Sequence, residues 1–331
     1  MEGNLLSWRQ NVVISAFFII CFSVIFLSST MSIDDGQFRA KSTTQENLGS
    51  ESYFKRADYY LIGEGRENFH LFSDELIHNQ ILKQLILTGP NGVLFSKEGE
   101  PIYYSGQSGF FDFGKNLLHL KNKVVIRSKE ATITTDDLIY NDKKKVAKAT
   151  GGVFSKTQNY DQFYEVRISS DAMDFYPVAN KLDYFGNVKG KIERSRLYEA
   201  PVFFNSDKMT FHMEDKKALM EGNVSIKKQT VTAFSRSGEI FMQNYNKKLK
   251  YFALYDDVIV KEFVTPVGKT SFERKAYSEK LEGYTSEGKV VLLGYPKVYQ
   301  NNDVLKGNVI ILRENNETIE VDDANTNFKL R

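Results

Sequence analysis

Cysteine is all but missing from this 331-residue chain. The single one, Cys21, leaves no disulfide framework and no cysteine-based zinc site. Histidine is scarce too, with only His70, His78, His119 and His212, and proline occurs six times. An excess of one charge is also lacking. The 44 basic and 42 acidic residues leave a net charge of +2, so no strongly basic face is expected and nucleic-acid binding is disfavoured. What is plentiful is aromatic: 25 Phe and 18 Tyr. With so little proline, that composition favours an ordered, strand-rich chain over disorder. The length allows one or two domains and a sizeable core.

Long apolar runs are missing with one exception. Residues 12–29, "VVISAFFIICFSVIFLSS", carry no charge. That is long enough to cross a bilayer as a helix, which takes about 17–25 residues. Arg9 before it and Asp34-Asp35 after it favour a cytoplasmic N-terminus with the remainder translocated. A cleaved signal peptide is the rival reading, although no A-x-A site follows the run. Both readings place the rest of the chain outside the cytoplasm. Segment 30–52 is polar, lacks periodicity and reads as a linker.

Beyond it, a Ser-acidic-x-aliphatic phrase recurs. It appears as Ser73-Asp74-Glu75-Leu76, Ser170-Asp171-Ala172-Met173, Ser206-Asp207-Lys208-Met209 and Ser278-Glu279-Lys280-Leu281. Looser copies are Thr135-Asp136-Asp137-Leu138 and Ser237-Gly238-Glu239-Ile240. With Gly106 and Gly307 as poorer members, the second residues lie at 74, 106, 136, 171, 207, 238, 279 and 307, a spacing of roughly thirty. Between them lie apolar alternations, such as Val224-Ser225-Ile226 and Val258-Ile259-Val260, and polar turns such as residues 141–145 and 244–248. Gly-Asn-Val, at 186–188, 222–224 and 307–309, reads as a bend entering a Val-containing strand. Segment 74–87 has apolar residues at helical spacing, yet the surrounding repeat favours two strands there. One hairpin cannot bury its own apolar face, whereas stacked hairpins cover one another. The expected fold is all-β: an N-terminal transmembrane helix followed by a stacked antiparallel repeat, a twisted β-jellyroll with two walls around an apolar groove.

Three stretches carry a family resemblance: "LTGPNGVLFSKEGEPIYYSG" (87–106), "ITTDDLIYNDKKKVAKATGGVFS" (133–155) and "ISSDAMDFYPVANKLDYFGNVKG" (168–190). Behind a single apolar span, they resemble the LptC family of membrane-anchored periplasmic lipopolysaccharide-transport proteins. Residues 198–331, through "FFNSDKMTFHMEDKKALMEGNVSI" (203–226) and "YSEKLEGYTSEGKVVLLGYPKVYQNNDVLKGNVIIL" (277–312), are similar to LptA/OstA-like repeats. The expected organisation is a tail and anchor over 1–29, a linker over 30–52, an LptC-like domain over 53–197 and an LptA/OstA-like domain over 198–331. The resemblance implies inner-membrane location with the bulk in the periplasm. It also implies lipopolysaccharide as cargo, an ATP-binding-cassette exporter upstream, and LptA-like or outer-membrane translocon β domains as edge-to-edge partners.

Catalytic signals are weak. His212-Met213-Glu214 has the His-x-Glu spacing of zinc deaminases but lacks the Pro-Cys-x-x-Cys partner. The carboxylate pairs Asp136-Asp137, Asp256-Asp257 and Asp322-Asp323 read as turn chemistry. No catalytic residue, metal site or cofactor is expected. The inward-facing apolar positions are the candidate lipid-binding groove: Val124, Ile126, Val153, Val188, Val224, Ile226, Val258, Val260 and Val298, with Phe211 and Tyr299 adjoining. The same residues equally describe a filled core, as in a membrane-anchored β-repeat scaffold or adhesion protein. A one-residue slip in register would turn all of them outward. A carbohydrate-active enzyme is the third reading.

Overall fold

The recurring phrases meet in space. The computed structural model describes residues 51–322, apart from 64–65, 96–98, 130, 160–163, 195–199, 216, 242–250, 266–269, 285–286, 314–315 and 317. The apolar stretch 12–29 lies outside the described residues, among which no helix is long and apolar enough to cross a membrane. The described residues form twenty-one strands in one antiparallel sheet.

The centre of the sheet is ten long strands in sequence order: β7 (Leu117–Arg127), β8 (Ala131–Asn141), β9 (Val146–Asn159), β10 (Tyr164–Tyr176), β11 (Lys181–Arg194), β12 (Val202–His212), β13 (Lys217–Lys228), β14 (Val231–Phe241), β15 (Tyr251–Val264) and β16 (Phe272–Tyr284). Each pairs with the next. Every one of these ladders shifts register at mid-strand. In the odd strands the cause is two consecutive residues in the left-handed region: Asn122-Lys123, Gly151-Gly152, Gly186-Asn187, Gly222-Asn223 and Asp256-Asp257. Nine of these ten are Gly, Asn or Asp, the residues that tolerate this backbone, and Lys123 is the exception. Gly-Asn is therefore a corner inside a strand, where the sequence suggests a turn entering one.

The Ser-acidic phrase is the other half of that corner. Asp171 Oδ2 accepts from Asn187 Nδ2 at 2.7 Å, and Asp207 Oδ2 accepts from Asn223 Nδ2 at 2.8 Å. At most corners the preceding hydroxyl turns inward and donates to the carbonyl two residues on, as in Ser73 to Glu75, Ser170 to Ala172 and Ser278 to Lys280, but not at Ser206. That bond compensates for the break in the ladder. The copy in β14 is Ser235-Arg236-Ser237, since Ser235 Oγ donates to the Ser237 carbonyl at 2.8 Å. The Ser237-Gly238 phase suggested by the sequence is thus two residues late. The third Gly-Asn-Val differs: neither Gly307 nor Asn308 has positive φ, and Asn308 N donates to Asp322 O at 3.2 Å.

Bending every strand at one place creases the sheet into two walls. Wall A contains the first half of each odd strand and the second half of each even strand; wall B contains the complementary halves. The alternation resumes in phase across the corner, so Ala218 and Met220 before it and Val224 and Ile226 after it all face the same interior. A single-layer sheet leaves such residues wet. With no helix among the described residues, the cover over one wall is the other wall.

At both ends of the stack the crease is cut and each wall continues separately. β1 (Glu51–Gly63) pairs with β2 (Arg66–Asn79), taking Glu51 and Ser52 out of the expected linker. The second half of β2 pairs with β3 (Gln84–Thr88), so segment 74–87 is a β-hairpin, as the repeat suggested. The first half pairs with β4 (Asn91–Phe95). From there β6 (Ser108–Asp112) leads wall A and β5 (Pro101–Ser105) leads wall B into β7. After β16, wall A runs through β17 (Lys289–Leu293), β20 (Val309–Arg313) and β21 (Ile319–Asp322). Wall B runs through β18 (Lys297–Gln300) and β19 (Asp303–Lys306). Among the described residues β1, β19 and β21 each have one paired side only. Pairing continues from β11 to β12, the point where the sequence resemblance changes from one kind to the other.

Candidate functional site: the space between the walls

All nine groove candidates point inward and are at most 5% exposed, within one apolar core cluster that runs from Phe69 to Leu312. Phe211 packs against that cluster, whereas Tyr299 points outward and is 43% exposed. The interior is close-packed around most of them. Gaps of only about 20 and 10 Å³ separate the walls at Ile226–Val290 and at Leu120–Phe175.

One larger cleft opens between the walls near the first third of the stack, with a volume of about 280 Å³. Its floor is apolar: Ile102, Ile126 and Ile133 from wall B, and Phe175 and Leu182 from wall A. Its lips are the hairpin turns of the two walls. Glu100, Ser128 and Lys129 face Asn180, Met213 and Glu214 across it. Lys129 Nζ lies 3.7 Å from Glu100 Oε1, and Asn180 Nδ2 donates to Glu214 Oε1 at 3.1 Å. An apolar floor beneath a charged rim suits an amphipathic ligand, and the volume is just under the ~300–1,000 Å³ usual for ligand clefts. Of the nine groove candidates only Ile126 lines this cleft. The others that line it sit at strand ends beside turns, where the walls diverge, and alternation alone gives those positions no distinction.

The interior is nearly free of charge. Its phenols stay neutral, because burial raises the pKa of Tyr104 and Tyr140 and pushes Tyr184 up to about 12. The inward exception lies near the C-terminal end. Arg274, 1% exposed, donates to Glu262 Oε2 at 3.1 Å, to Gln300 Oε1 at 2.8 Å and to the Asn316 carbonyl at 2.6 Å. Burial lowers the guanidinium pKa, and Glu262 offsets part of that.

The residues singled out for chemistry occupy corners and turns. Asp256 and Asp257 are a left-handed corner, with Asp257 ion-paired to Arg236. Asp137 Oδ2 lies 2.8 Å from His119 Nε2. His212 ends β12 and Glu214 sits in the turn after it. Asp322 ends β21, and Asp323 lies outside the described residues. No group of three or more potential metal ligands occurs among the described residues.

The outer faces differ in charge. On wall A a cross-strand row runs through Lys148, Asp174, Asp183, Thr210, Leu219, Glu239, Ala253 and Glu282. Its acids are paired: Lys148–Asp174 at 2.5 Å, Lys181–Asp183 at 2.8 Å, Lys217–Glu239 at 3.0 Å and Lys280–Glu282 at 2.6 Å. On wall B the corresponding row runs through Arg127, Thr132, Lys156, Arg167, Lys191, Phe203, Lys227, Thr232, Lys261, Lys275 and Tyr299, with no acid in it. A balanced composition thus conceals a basic face that net charge gave no reason to expect.

Two families match the chain. The family described as lipopolysaccharide-assembly, LptC-related, matches residues 16–193. The family described as LptA/(LptD N-terminal domain) LPS transport protein matches residues 204–318. Among solved structures, the chain is similar to LptH, the LptA homologous periplasmic component of the conserved lipopolysaccharide transport device from Pseudomonas aeruginosa. The identity is 14% and the TM-score 0.33, over 38% of this chain and 84% of that one. None of the curated proteins matches.

Proposed function

The chain belongs to the LptC-related lipopolysaccharide-assembly family, and from that premise we propose that it is a non-enzymatic conduit for lipopolysaccharide acyl chains. The observation that carries this reading is the cleft of about 280 Å³, with its apolar floor, charged lips and position at the open side of two facing walls. Acyl chains enter there and pass along the interior as the walls part, while the sugars stay outside. Each methylene kept from water is worth about 0.8 kcal/mol, so several chains cannot cross an aqueous space unshielded. The apolar run at 12–29 anchors the protein in the inner membrane, with the β stack in the periplasm. An ATP-driven exporter supplies cargo and direction. The singly paired strands β1, β19 and β21 take partner sheets by strand addition. The LptA-like half lengthens the path toward the outer membrane.

Photocrosslinkers test this reading directly. Placed at Ile133 and Leu182 in the cleft, they are expected to capture lipopolysaccharide in cells. At Val188, Val224 and Val260 in the interior, capture should appear only while the exporter is running. Leu219, on the outside of wall A, should capture none. Equal capture at Ile133 and Leu219 sinks the conduit.

The close packing around Val224 and Val260, each 1% exposed, supports a second reading: a membrane-anchored scaffold whose core stays filled. It predicts capture at none of the five inward positions in a chain that cells still require.

A further inference from the structure

The outer face of wall B is basic where nothing in the interior requires it. Cross-strand neighbours of like charge are destabilising, yet Lys156, Arg167 and Lys191 stand directly opposite one another, as do Lys261 and Lys275. Lys156 and Arg167 both pair with Glu165, Lys191 with Glu193 and Lys275 with Glu273, all from the next row toward the turns. Lys227 and Lys297 have no acidic partner among the described residues. Among the described residues Lys261 has only the ring of Phe234, 5.6 Å from its ammonium group. Interleaved with these cations are exposed aromatics: Phe234 at 38%, Tyr277 at 42% and Phe263 at 55%.

Five adjacent strands, β13 to β16 and then β18, concentrate both features. At about 4.8 Å between strands they span about 19 Å, so the cations and rings form one contiguous patch. Exposed rings beside lysines are the composition of a bilayer interface, where aromatics enter the head-group layer and cations meet anionic lipid. The side chains point away from the space between the walls. A lipid held in that space therefore cannot lay its own phosphates on this face.

We propose that the outer face of wall B over β13–β16 and β18 docks on the surface of an anionic phospholipid bilayer. Lys227, Lys261 and Lys297 supply the attraction, and Phe234 and Tyr277 supply the interfacial insertion. The opposite face, whose acids already have cations, stays in water. This docking is independent of how acyl chains travel between the walls.

The test uses the full chain in lipid nanodiscs, with Cys21→Ser as background. A fluorophore is attached at Tyr277→Cys or, on the outside of wall A, at Leu219→Cys, and quenching by brominated lipid is read. Quenching at 277 is expected in discs containing phosphatidylglycerol. It should vanish in pure phosphatidylcholine and at high salt, and 219 should stay unquenched throughout. The triple variant Lys227→Gln/Lys261→Gln/Lys297→Gln should lower the docked-to-free ratio about a hundredfold, near fivefold per charge. Its melting temperature should not move, because all three lysines are exposed. Equal quenching in neutral and anionic discs overturns the proposal, as does equal quenching at 277 and 219 or an unaffected triple variant. Retention on polyglutamate without quenching on anionic discs also overturns it, in favour of an acidic protein partner.

Discussion

Wall A and wall B are cut from the same strands, share one interior and differ on the outside. The acids of wall A lie beside lysines and are neutralised in pairs. The cations of wall B line up opposite one another, and Lys227 and Lys297 have no acidic partner among the described residues. The two-residue corner makes this division workable. It keeps the in-out alternation in phase, so both halves of a strand feed one core, while each half presents its own surface. A single strand can thus carry Glu221 outside wall A and Lys227 outside wall B with Met220, Val224 and Ile226 inside.

The strongest way to break that arrangement attacks what the walls share. Val224→Asp puts an unpaired charge at a site 1% exposed, just after the corner. It should cost more than about 3 kcal/mol and collapse both walls. Lys227→Asp, three residues on and facing outward, should stay within about 0.5 kcal/mol. Thermal melting separates them, and similar losses in both would refute the assigned register.

Next in size is the crease. Gly222 has φ +73°, and a Cβ there would lie 2.4 Å from Asp207 Oδ2. Gly222→Ala should cost about 1–3 kcal/mol. Adding Asp207→Ala should recover the steric part but not the backbone part, read as a partial return of the melting temperature. Full recovery would mean that the left-handed corner itself is not needed.

A finer contrast lies between two corners of the same kind. Ser170 Oγ donates to Ala172 O at 2.9 Å, whereas Ser206 Oγ is buried with no hydrogen-bond partner among the described residues. Ser170→Ala should cost about 1 kcal/mol, and Ser206→Ala should be neutral or stabilising. Denaturant midpoints with unchanged slopes would show it; equal losses would mean that both hydroxyls are satisfied alike.

The smallest effect is electrostatic and belongs to wall A. The hydrogen bond from Lys280, aided by Tyr284, holds Glu282 below its usual pKa of 4.5. A lowered folded-state pKa means stability present above 4.5 and lost as pH falls through the folded value. Lys280→Met should therefore weaken the acid-side dependence of the melting temperature while leaving the lipid docking of wall B unchanged. An unaltered acid limb would show that the pair contributes nothing measurable.

Much of this fold is legible in the chain because its signals are local. Alternation marks Val124, Val188 and Val260 as inward, and all three are buried. The Ser-Asp and Gly-Asn phrases mark a repeat, although they suggest turns where the strand in fact continues through a corner. The cleft was harder to foresee. Ile133, Phe175 and Leu182 look like any other inward residues until the walls are seen to diverge beside their turns. The Ser237-Gly238 phrase lies two residues past the corner, which only the hydroxyl's bond identifies as Ser235.

By itself the sequence determined the strand content, the inward face and the repeat. Each depends on side-chain alternation and on which residues accept a left-handed backbone, and both are short-range properties. Only the tertiary structure decided where the walls part and that cations gather on one of them. Those outcomes depend on which residue stands opposite which across many strands, and a composition balanced to +2 carries no trace of that pairing.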